Sequence, residues 1–332
     1  MKKAILLLSL FFSLSGIIES IVFLFIRSEK FSEFIVFTNI TPYYFSGLTV
    51  MIEVERINQY TSTSASLGLL NLFFYLSFLF GTIIYFFSKY KETKLLLFNF
   101  SLIIISGIKT LVFFLFSFED WTNSYITYRI SGITIRIVYI LLSYFIINRY
   151  LNTSKEMVSD QGYLQNSSKN KRFLNLFIDS LLIMTTTFGF IEYTQRYRML
   201  SSSVGYISTT FEDRINILIL FSLIKFMYYL MFESIFKSTP AKFITSCYVT
   251  DEEGNSPTFS MILKRTLLRL VPFESITFLM GKNLHDDYSD TYVVDKKSDR
   301  LIEDRYFKFL AIGFGTLLVF YFYMITKHIL FR

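Results

Sequence analysis

Cysteine and histidine are scarce in this chain of 332 residues. The single cysteine, Cys247, excludes an intramolecular disulfide, because a disulfide needs two thiols. The two histidines, His285 and His328, are too few to build a cluster of cysteine and histidine ligands around zinc. We therefore expect neither a metal nor another cofactor.

Motifs that carry enzymatic chemistry are also missing. The sequence has no Walker loop, no serine nucleophile elbow and no motif of paired catalytic carboxylates. His285 and Asp286 resemble the HD pair of metal-dependent hydrolases, but that chemistry needs further ligands that the chain does not supply. We expect His285 to support Asp286 and the turn through Ser289 and Thr291, and we expect no enzymatic activity.

Long apolar stretches dominate what is present. Apolar residues make up 52% of the chain, and the mean hydropathy is +0.45, which is typical of a membrane protein. The first stretch is longer than a signal-peptide core and lacks a small-residue cleavage site, so we expect it to remain as a span. The predicted fold is an all-α, polytopic helical bundle with about seven transmembrane helices, at residues 4–26, 67–87, 95–116, 132–147, 173–191, 215–236 and 309–326.

The distribution of cations predicts the orientation in the membrane. Lys2 and Lys3 precede the first span, and most other short-loop lysines and arginines fall on the same predicted side. Cytoplasmic loops carry this excess. We therefore expect an inner-membrane protein with a cytoplasmic N-terminus. The net charge of +7 has the same cause, so we expect no nucleic-acid partner.

The linker at residues 151–170 is rich in serine, asparagine and charge, which indicates a solvated cytoplasmic connection. It separates a four-span membrane region at 1–150, to which we assign no role, from a second region at 171–298. A final transmembrane helix is expected within 299–332. The two halves show no convincing internal repeat, so the sequence does not support an inverted-repeat transporter.

Residues 171–294 contain an ordered set of polar motifs. An arginine, Arg172, opens the set, an aspartate, Asp179, follows seven residues later, and a second aspartate, Asp286, lies in NLHDDYSDTYVV. Between the two aspartates come the blocks FESIFKSTPAKF, VTDEEGNSP and KRTLLRLVPFESITF. This arrangement resembles the RDD family, which is named for an arginine and two aspartates. The family commonly has glycine where this chain has Lys237 and Ala241. The resemblance implies a membrane domain, and it implies ion exchange, which is attributed to some members.

The charges of this region allow two interpretations each. Arg172 is expected either to anchor in lipid phosphates or to pair with Asp286. Asp179, about 10 Å deeper along its helix, is expected either to form a structural salt bridge with Lys225 or to respond to ions or protons under the influence of Lys225.

The cytoplasmic excursion after the sixth span carries further polar residues. We expect Glu233 to be solvated at the membrane surface, and Lys242, which follows Thr239, to face lipid phosphates. Residues 243–249 alternate and predict a short strand before a turn. Residues 260–270 predict a basic amphipathic helix in the membrane interface, with a buried packing helix as the alternative; its cations are Lys264, Arg265 and Arg269.

Charged residues also occur in the predicted N-terminal spans. Glu19 and Lys109 have opposite signs on separate helices and are expected to pair. Arg136 is closer to the end of its span, where we expect its side chain to extend to the interface.

The leading hypothesis from the sequence is a membrane protein of transport or ion homeostasis. Its expected polar site comprises Arg172, Asp179, Lys225, Glu233 and Asp286, with a supporting set of Thr239, Lys242, Arg265, Arg269, His285 and Thr291. The alternative is a scaffold or regulatory partner whose charges only lock helices together. The expected partners are the bilayer, anionic headgroups at the cytoplasmic face, a small ion and a second copy of the chain.

Overall fold

The computed structural model describes residues 1–22, 41–43, 59–116, 123–151, 167–196, 213–271 and 284–295. The long helices are α1 (Lys2–Ile21), α2 (Gln59–Phe87), α3 (Lys94–Phe116), α4 (Asn123–Ile146), α5 (Lys169–Arg196) and α6 (Asp213–Phe236). A π-helical turn, Ile147–Leu151, extends α4. The shorter elements are α7 (Pro240–Thr245), β1 (Cys247–Asp251), α8 (Phe259–Leu268), α9 (Leu284–Asp287) and β2 (Thr291–Asp295).

The described helices confirm a mostly helical membrane protein but not seven spans. Four are long and apolar enough to cross a bilayer: Lys2–Ile21, Lys94–Phe113, Ile130–Leu151 and Leu218–Phe236. The apolar segment Asn71–Phe87, which is part of α2, is shorter than these four. The expected span at 173–191 falls within α5, whereas the one at 309–326 lies outside the described residues.

Helix α3 occupies the centre of the bundle. Its apolar segment is 78% buried, whereas the corresponding segments of α1, α4 and α6 are only 22–33% buried. It packs against α2, α4, α5 and α7, so it joins the two halves of the chain. The outward apolar faces of α1, α4 and α6 are those that lipid would cover, because apolar surface exposed on this scale is unfavourable in water.

Local signals at residues 239–246 set the boundaries of α7. Thr239 caps the helix by accepting a hydrogen bond from the Lys242 backbone N–H, and Pro240 occupies the first turn. Ser246 ends the helix in the left-handed conformation, with φ 57°. The strand predicted at 243–249 was therefore wrong in its first part, because residues 243–245 are helical and β1 begins at Cys247.

Strands β1 and β2 form a two-stranded antiparallel sheet. Cys247 is opposite Asp295, and Val249 is opposite Val293. The sheet is tied to the start of α5, since the Ser167 backbone N–H donates to the Val293 carbonyl over 2.9 Å. Lys171 also lies 3.1 Å from Asp295 across the same junction. These contacts hold the N-terminal end of α5 beside the sheet.

Candidate functional site

Polar side chains from α5 to β2 meet at one end of α5 and α6. Asp179 lies on α5, and it is 1% exposed. Its Oδ1 atom accepts hydrogen bonds from the Tyr228 hydroxyl at 2.6 Å and from the Ala241 backbone N–H at 3.3 Å. Its Oδ2 atom accepts one from the Thr239 hydroxyl at 2.7 Å. The buried carboxylate is thus satisfied by neutral donors from α6 and the α7 cap.

The predicted bridge between Asp179 and Lys225 was wrong. The Lys225 ammonium donates to the Arg269 backbone carbonyl at 2.5 Å, at the end of α8. Depth along two helices gave a plausible pairing, but the direction in which each side chain leaves its helix decides the partner. Lys225 therefore ties α6 to the end of α8.

Glu233 lies near the end of α6 and is fully buried, so the prediction of a solvated carboxylate was wrong. Its Oε1 atom accepts a hydrogen bond from the Lys242 ammonium and lies 3.0 Å from Arg269 Nη1. Its Oε2 atom lies 3.3 Å from Arg265 Nε. Three cations thus surround one carboxylate. Their attraction offsets part of the free-energy cost of removing these charges from water.

Lys242 faces this carboxylate and not a lipid phosphate, which corrects a second prediction. Its side chain is buried against Glu233. Burial lowers the pKa of Lys242 to about 8; Glu233 opposes this shift, while Arg269 and Arg265 reinforce it. The ammonium is therefore easier to deprotonate than an exposed lysine, because burial disfavours its charged form and two guanidinium groups add to this effect.

Helix α8 has the opposite arrangement from the predicted basic interfacial helix. Arg265 is 0% exposed and Arg269 is buried, whereas Phe259 is 61% exposed and Leu267 is 50% exposed. Arg269 also stacks over the Tyr229 ring, 4.1 Å from its centre. Arg265 and Arg269 are therefore buried, as is Ile262, whereas Lys264, Phe259 and Leu267 are exposed.

Asp286, in α9, is the second centre of the network. Arg172 Nη1 lies 2.5 Å from its Oδ2 atom, so the predicted pairing of Arg172 with Asp286 is confirmed. Arg265 Nη1 donates to Oδ1, and His285 Nε2 lies 3.3 Å from the same oxygen. Burial alone would raise the pKa of Asp286, but Arg265, His285 and Arg172 hold it well below its usual range.

The turn after α9 supplies a further hydrogen-bond acceptor for Arg265. The Nη1 atom of Arg265 also donates to the Thr291 hydroxyl at 2.7 Å. The Thr291 and Ser289 hydroxyls lie 2.6 Å apart, and the Ser289 hydroxyl donates to the His285 carbonyl. His285 and this turn therefore support Asp286 as predicted.

A cavity of about 60 Å³ lies within this network. Its charged walls are Arg172, Lys242, Arg265, Arg269 and Asp179. Asn175, Leu176, Tyr229, His285 and Val293 complete the lining. The predicted site residues Arg172 and Asp179 and four of the supporting ones thus meet at one cavity, whereas Lys225 does not line it.

Sequence reasoning missed the neutral partners of the site. Tyr228 donates to Asp179, and Asn175 Oδ1 accepts a hydrogen bond from the Thr245 hydroxyl at 2.6 Å. Asn175 does carry a sequence signal, because it lies one helical turn before Asp179 and so on the same face of α5. Tyr228 carries no comparable signal among the 23 tyrosines of the chain.

Lys237 occupies a position where the RDD pattern commonly has glycine, and its backbone explains that preference. Its φ is 56°, in the left-handed region that non-glycine residues disfavour. The side chain donates to the Ser234 and Pro257 carbonyls at 3.0 and 3.4 Å. At the other such position, Ala241 donates its backbone N–H to Asp179. The tight backbone is thus retained without glycine.

The charges of the N-terminal half pair differently from the prediction. Glu19 accepts a hydrogen bond from Thr41 and lies near Arg136, so its expected pairing with Lys109 was wrong. Lys109 Nζ lies 6.0 Å from the centre of the Phe113 ring. Arg136 donates to the carbonyls of residues 41 and 42 at 3.1 and 2.9 Å and is 9% exposed, so it does not extend to the interface as expected.

Comparison with known proteins agrees with the polar motifs. The family model of the RDD family matches residues 168–330, a segment that includes α5 to β2 and every member of the network described above. No curated protein and no solved structure matches the chain.

Proposed function

Because its C-terminal half belongs to the RDD family, we propose that this membrane protein acts in transport or ion homeostasis, with the cavity beside Asp179 as its ion site. The proposal depends chiefly on one observation. Charged side chains from α5, α7 and α8 converge on a cavity large enough for water or a small ion. Ionisable groups buried at the level of membrane helices are often part of ion or proton pathways.

The arrangement of Asp179 supports this role. Its charge is held by neutral donors, whereas Glu233 and Asp286 are each surrounded by cations. A carboxylate without a cation bound directly to it is the one whose charge can change while the rest of the network persists. Asp179 is therefore the proposed responsive group, and Glu233 and Asp286 are the proposed positioning groups.

The same proposal covers the location of the protein and its partners. The protein lies in the inner membrane with its N-terminus in the cytoplasm, because the lysines at that end favour this orientation. Lys264 and Lys169 are exposed and suited to anionic headgroups. A second copy of the chain is compatible with the outward apolar helices. We propose no enzymatic activity and no nucleic-acid partner.

A scaffold or regulatory role is the second candidate, and one observation favours it. Arg265 contacts both Glu233 and Asp286, so a single fully buried side chain links α6, α8 and α9. A network of this kind fixes the relative positions of helices, which is all that a scaffold requires.

The two candidates differ in a flux measurement. Proteoliposomes that contain a pH-sensitive dye would be diluted into NaCl, KCl or sodium gluconate, with unmodified protein, Asp179→Asn or the exposed control Asp287→Asn. Transport predicts salt-dependent flux that Asp179→Asn reduces at least tenfold and Asp287→Asn retains. Flux equal to that of protein-free vesicles for all three proteins would contradict transport and favour the scaffold.

A further inference from the structure

The cavity beside Asp179 is lined mainly by cationic side chains. Arg172, Lys242, Arg265 and Arg269 contribute to its wall, whereas Asp179 is the one carboxylate among the described residues that line it. The oxygens of Asp179 already accept three hydrogen bonds from their own donors. Glu233 and Asp286 lie behind this wall and contact its cations, so the four cations exceed the three carboxylates by one positive charge. A concave site with this balance of charge favours an anion over a cation.

Two buried donors at this cavity have neither a hydrogen bond nor an ion pair within the described part of the chain. They are Arg265 Nη2 and Asn175 Nδ2, whereas Arg265 Nε and Arg269 Nη1 lack a hydrogen bond but lie 3.3 and 3.0 Å from Glu233. Arg265 is 0% exposed and Asn175 is 5% exposed, and both residues line the cavity. An unsatisfied buried donor costs about 1–3 kcal/mol, and more when it is charged. A ligand that accepts from both donors would remove this cost.

The size of the cavity limits the ligand. A volume of about 60 Å³ corresponds to roughly four to six water-sized spheres of about 10–15 Å³ each. One monatomic anion with one or two waters fits within it, whereas a ligand of clearly more than about six non-hydrogen atoms does not. Pure water is the alternative content, but it leaves the one excess positive charge of the network without a counter-charge.

We propose that this cavity binds a small monovalent inorganic anion, with chloride as the probe, through Arg265 and Asn175. The inference rests on the proposed function, because it names the class of ion handled at the same site. Binding at equilibrium does not require transport, however, so the two proposals can fail separately.

The test changes the donor at Asn175 without removing its other contact. Asn175→Asp retains an oxygen that accepts from the Thr245 hydroxyl, but it replaces the Nδ2 donor with a second oxygen and adds a negative charge. Asn255→Asp makes the same chemical change in the exposed turn after β1 and is the matched control. Both variants keep every member of the cationic wall.

The full chain would be purified in detergent and its melting temperature measured in sodium chloride and in sodium gluconate at equal ionic strength. We expect chloride to raise the midpoint by about 3 °C, with saturation at a single site. The rise should persist in Asn255→Asp and disappear in Asn175→Asp. Chloride NMR linewidths should broaden with the unmodified protein and narrow again when Asn175 is changed.

Three results would overturn the proposal. One is an equal midpoint in chloride and gluconate for the unmodified protein, with no broadening of the chloride signal. Another is the same chloride response in Asn175→Asp as in Asn255→Asp. The third is stabilisation by phosphate without stabilisation by chloride, because that would exclude a monatomic ligand.

Discussion

Arg265 Nη1 donates a hydrogen bond to Asp286 Oδ1 in a region where neither side chain is accessible to solvent. The same guanidinium has its Nε atom 3.3 Å from Glu233. Helices α8 and α9 are thereby joined to α6 through one side chain. Removing a single partner from such a network leaves a buried charge without its counter-charge. The resulting loss of stability is larger than the net stability that the intact pair contributes.

Asp286→Asn tests this relationship directly. We expect the substitution to reduce stability by about 3–5 kcal/mol, because Arg172 loses its counter-charge and Arg265 loses one of its two. The neighbouring exposed residue provides the control, and Asp287→Asn should change stability by less than about 0.5 kcal/mol. The measurement is denaturant unfolding in detergent micelles. Equal stability of the two variants would show that the network contributes nothing.

The acid dependence of stability should follow from Asp286 as well. Its pKa is lower in the folded protein than the usual 3.8, so its stabilising effect is present above that pH and lost as the pH falls towards the folded value. Arg172→Gln removes one cause of the low pKa. We expect the fall in melting temperature below about pH 4 to be smaller in this variant than in the unmodified protein.

Lys169→Gln is the matched control for that acid titration, because it removes an exposed cation from the same end of α5. It should preserve the full acid-induced fall. If Arg172→Gln and Lys169→Gln gave the same profile as the unmodified protein, Arg172 would not be stabilising the charged form of Asp286.

The partner of Asp179 can be established by two double-mutant cycles. In the first, Asp179→Asn is combined with Tyr228→Phe, and we expect a coupling of about 1–2 kcal/mol, because the hydroxyl donates directly to the carboxylate. In the second it is combined with Lys225→Met, and we expect additivity within about 0.5 kcal/mol. Strong coupling to Lys225 together with none to Tyr228 would reverse the assignment.

Lys237 offers a test of backbone strain. Lys237→Gly and Lys237→Ala both lose the contacts with the Ser234 and Pro257 carbonyls, but only glycine relieves the cost of the positive φ. The glycine variant should therefore be more stable than the alanine variant by about 1 kcal/mol. Unfolding midpoints in micelles would measure the difference. A more stable alanine variant would contradict the left-handed backbone.

Gly16 tests the packing of α1 against α2. An added Cβ atom would lie 2.2 Å from the Tyr75 ring, which is stacked on Tyr43 with 4.3 Å between ring centres. Gly16→Ala should thus lower stability by about 1–3 kcal/mol through overpacking. Leu14→Ala, on the exposed face of α1, should have a smaller effect. The opposite order would mean that α1 does not pack against α2 in this way.

The sequence predicted those features that depend on local patterns. Apolar length located α1, α3, α4 and α6, and the order of polar motifs named Asp286 as the partner in one of the two alternatives for Arg172, the one that the structure shows. The basic residues of α8 were assigned to lipid because cations near the end of a span usually face headgroups. In the structure two buried carboxylates outweigh that tendency.

Other features depend on tertiary direction, which a single sequence does not contain. The partner of Asp179 is decided by how α6 and the α7 cap face α5, so helix depth alone selected the wrong residue. The pairing of Glu19 failed for the same reason, since Arg136 reaches it from α4. Strand β2 has only five residues, and a segment that short gives little periodicity to recognise.

The central claim is that the cationic cavity binds an ion that the protein transports. The most direct measurement is ion flux in a variant that replaces one cavity atom, Asn175 Nδ2, with an oxygen. Chloride-dependent flux into proteoliposomes would be compared for the unmodified protein, Asn175→Asp and Asn255→Asp at equal protein density. The account predicts that flux is retained with Asn255→Asp and falls at least tenfold with Asn175→Asp. Identical flux in all three proteins, or none above protein-free vesicles, would contradict it.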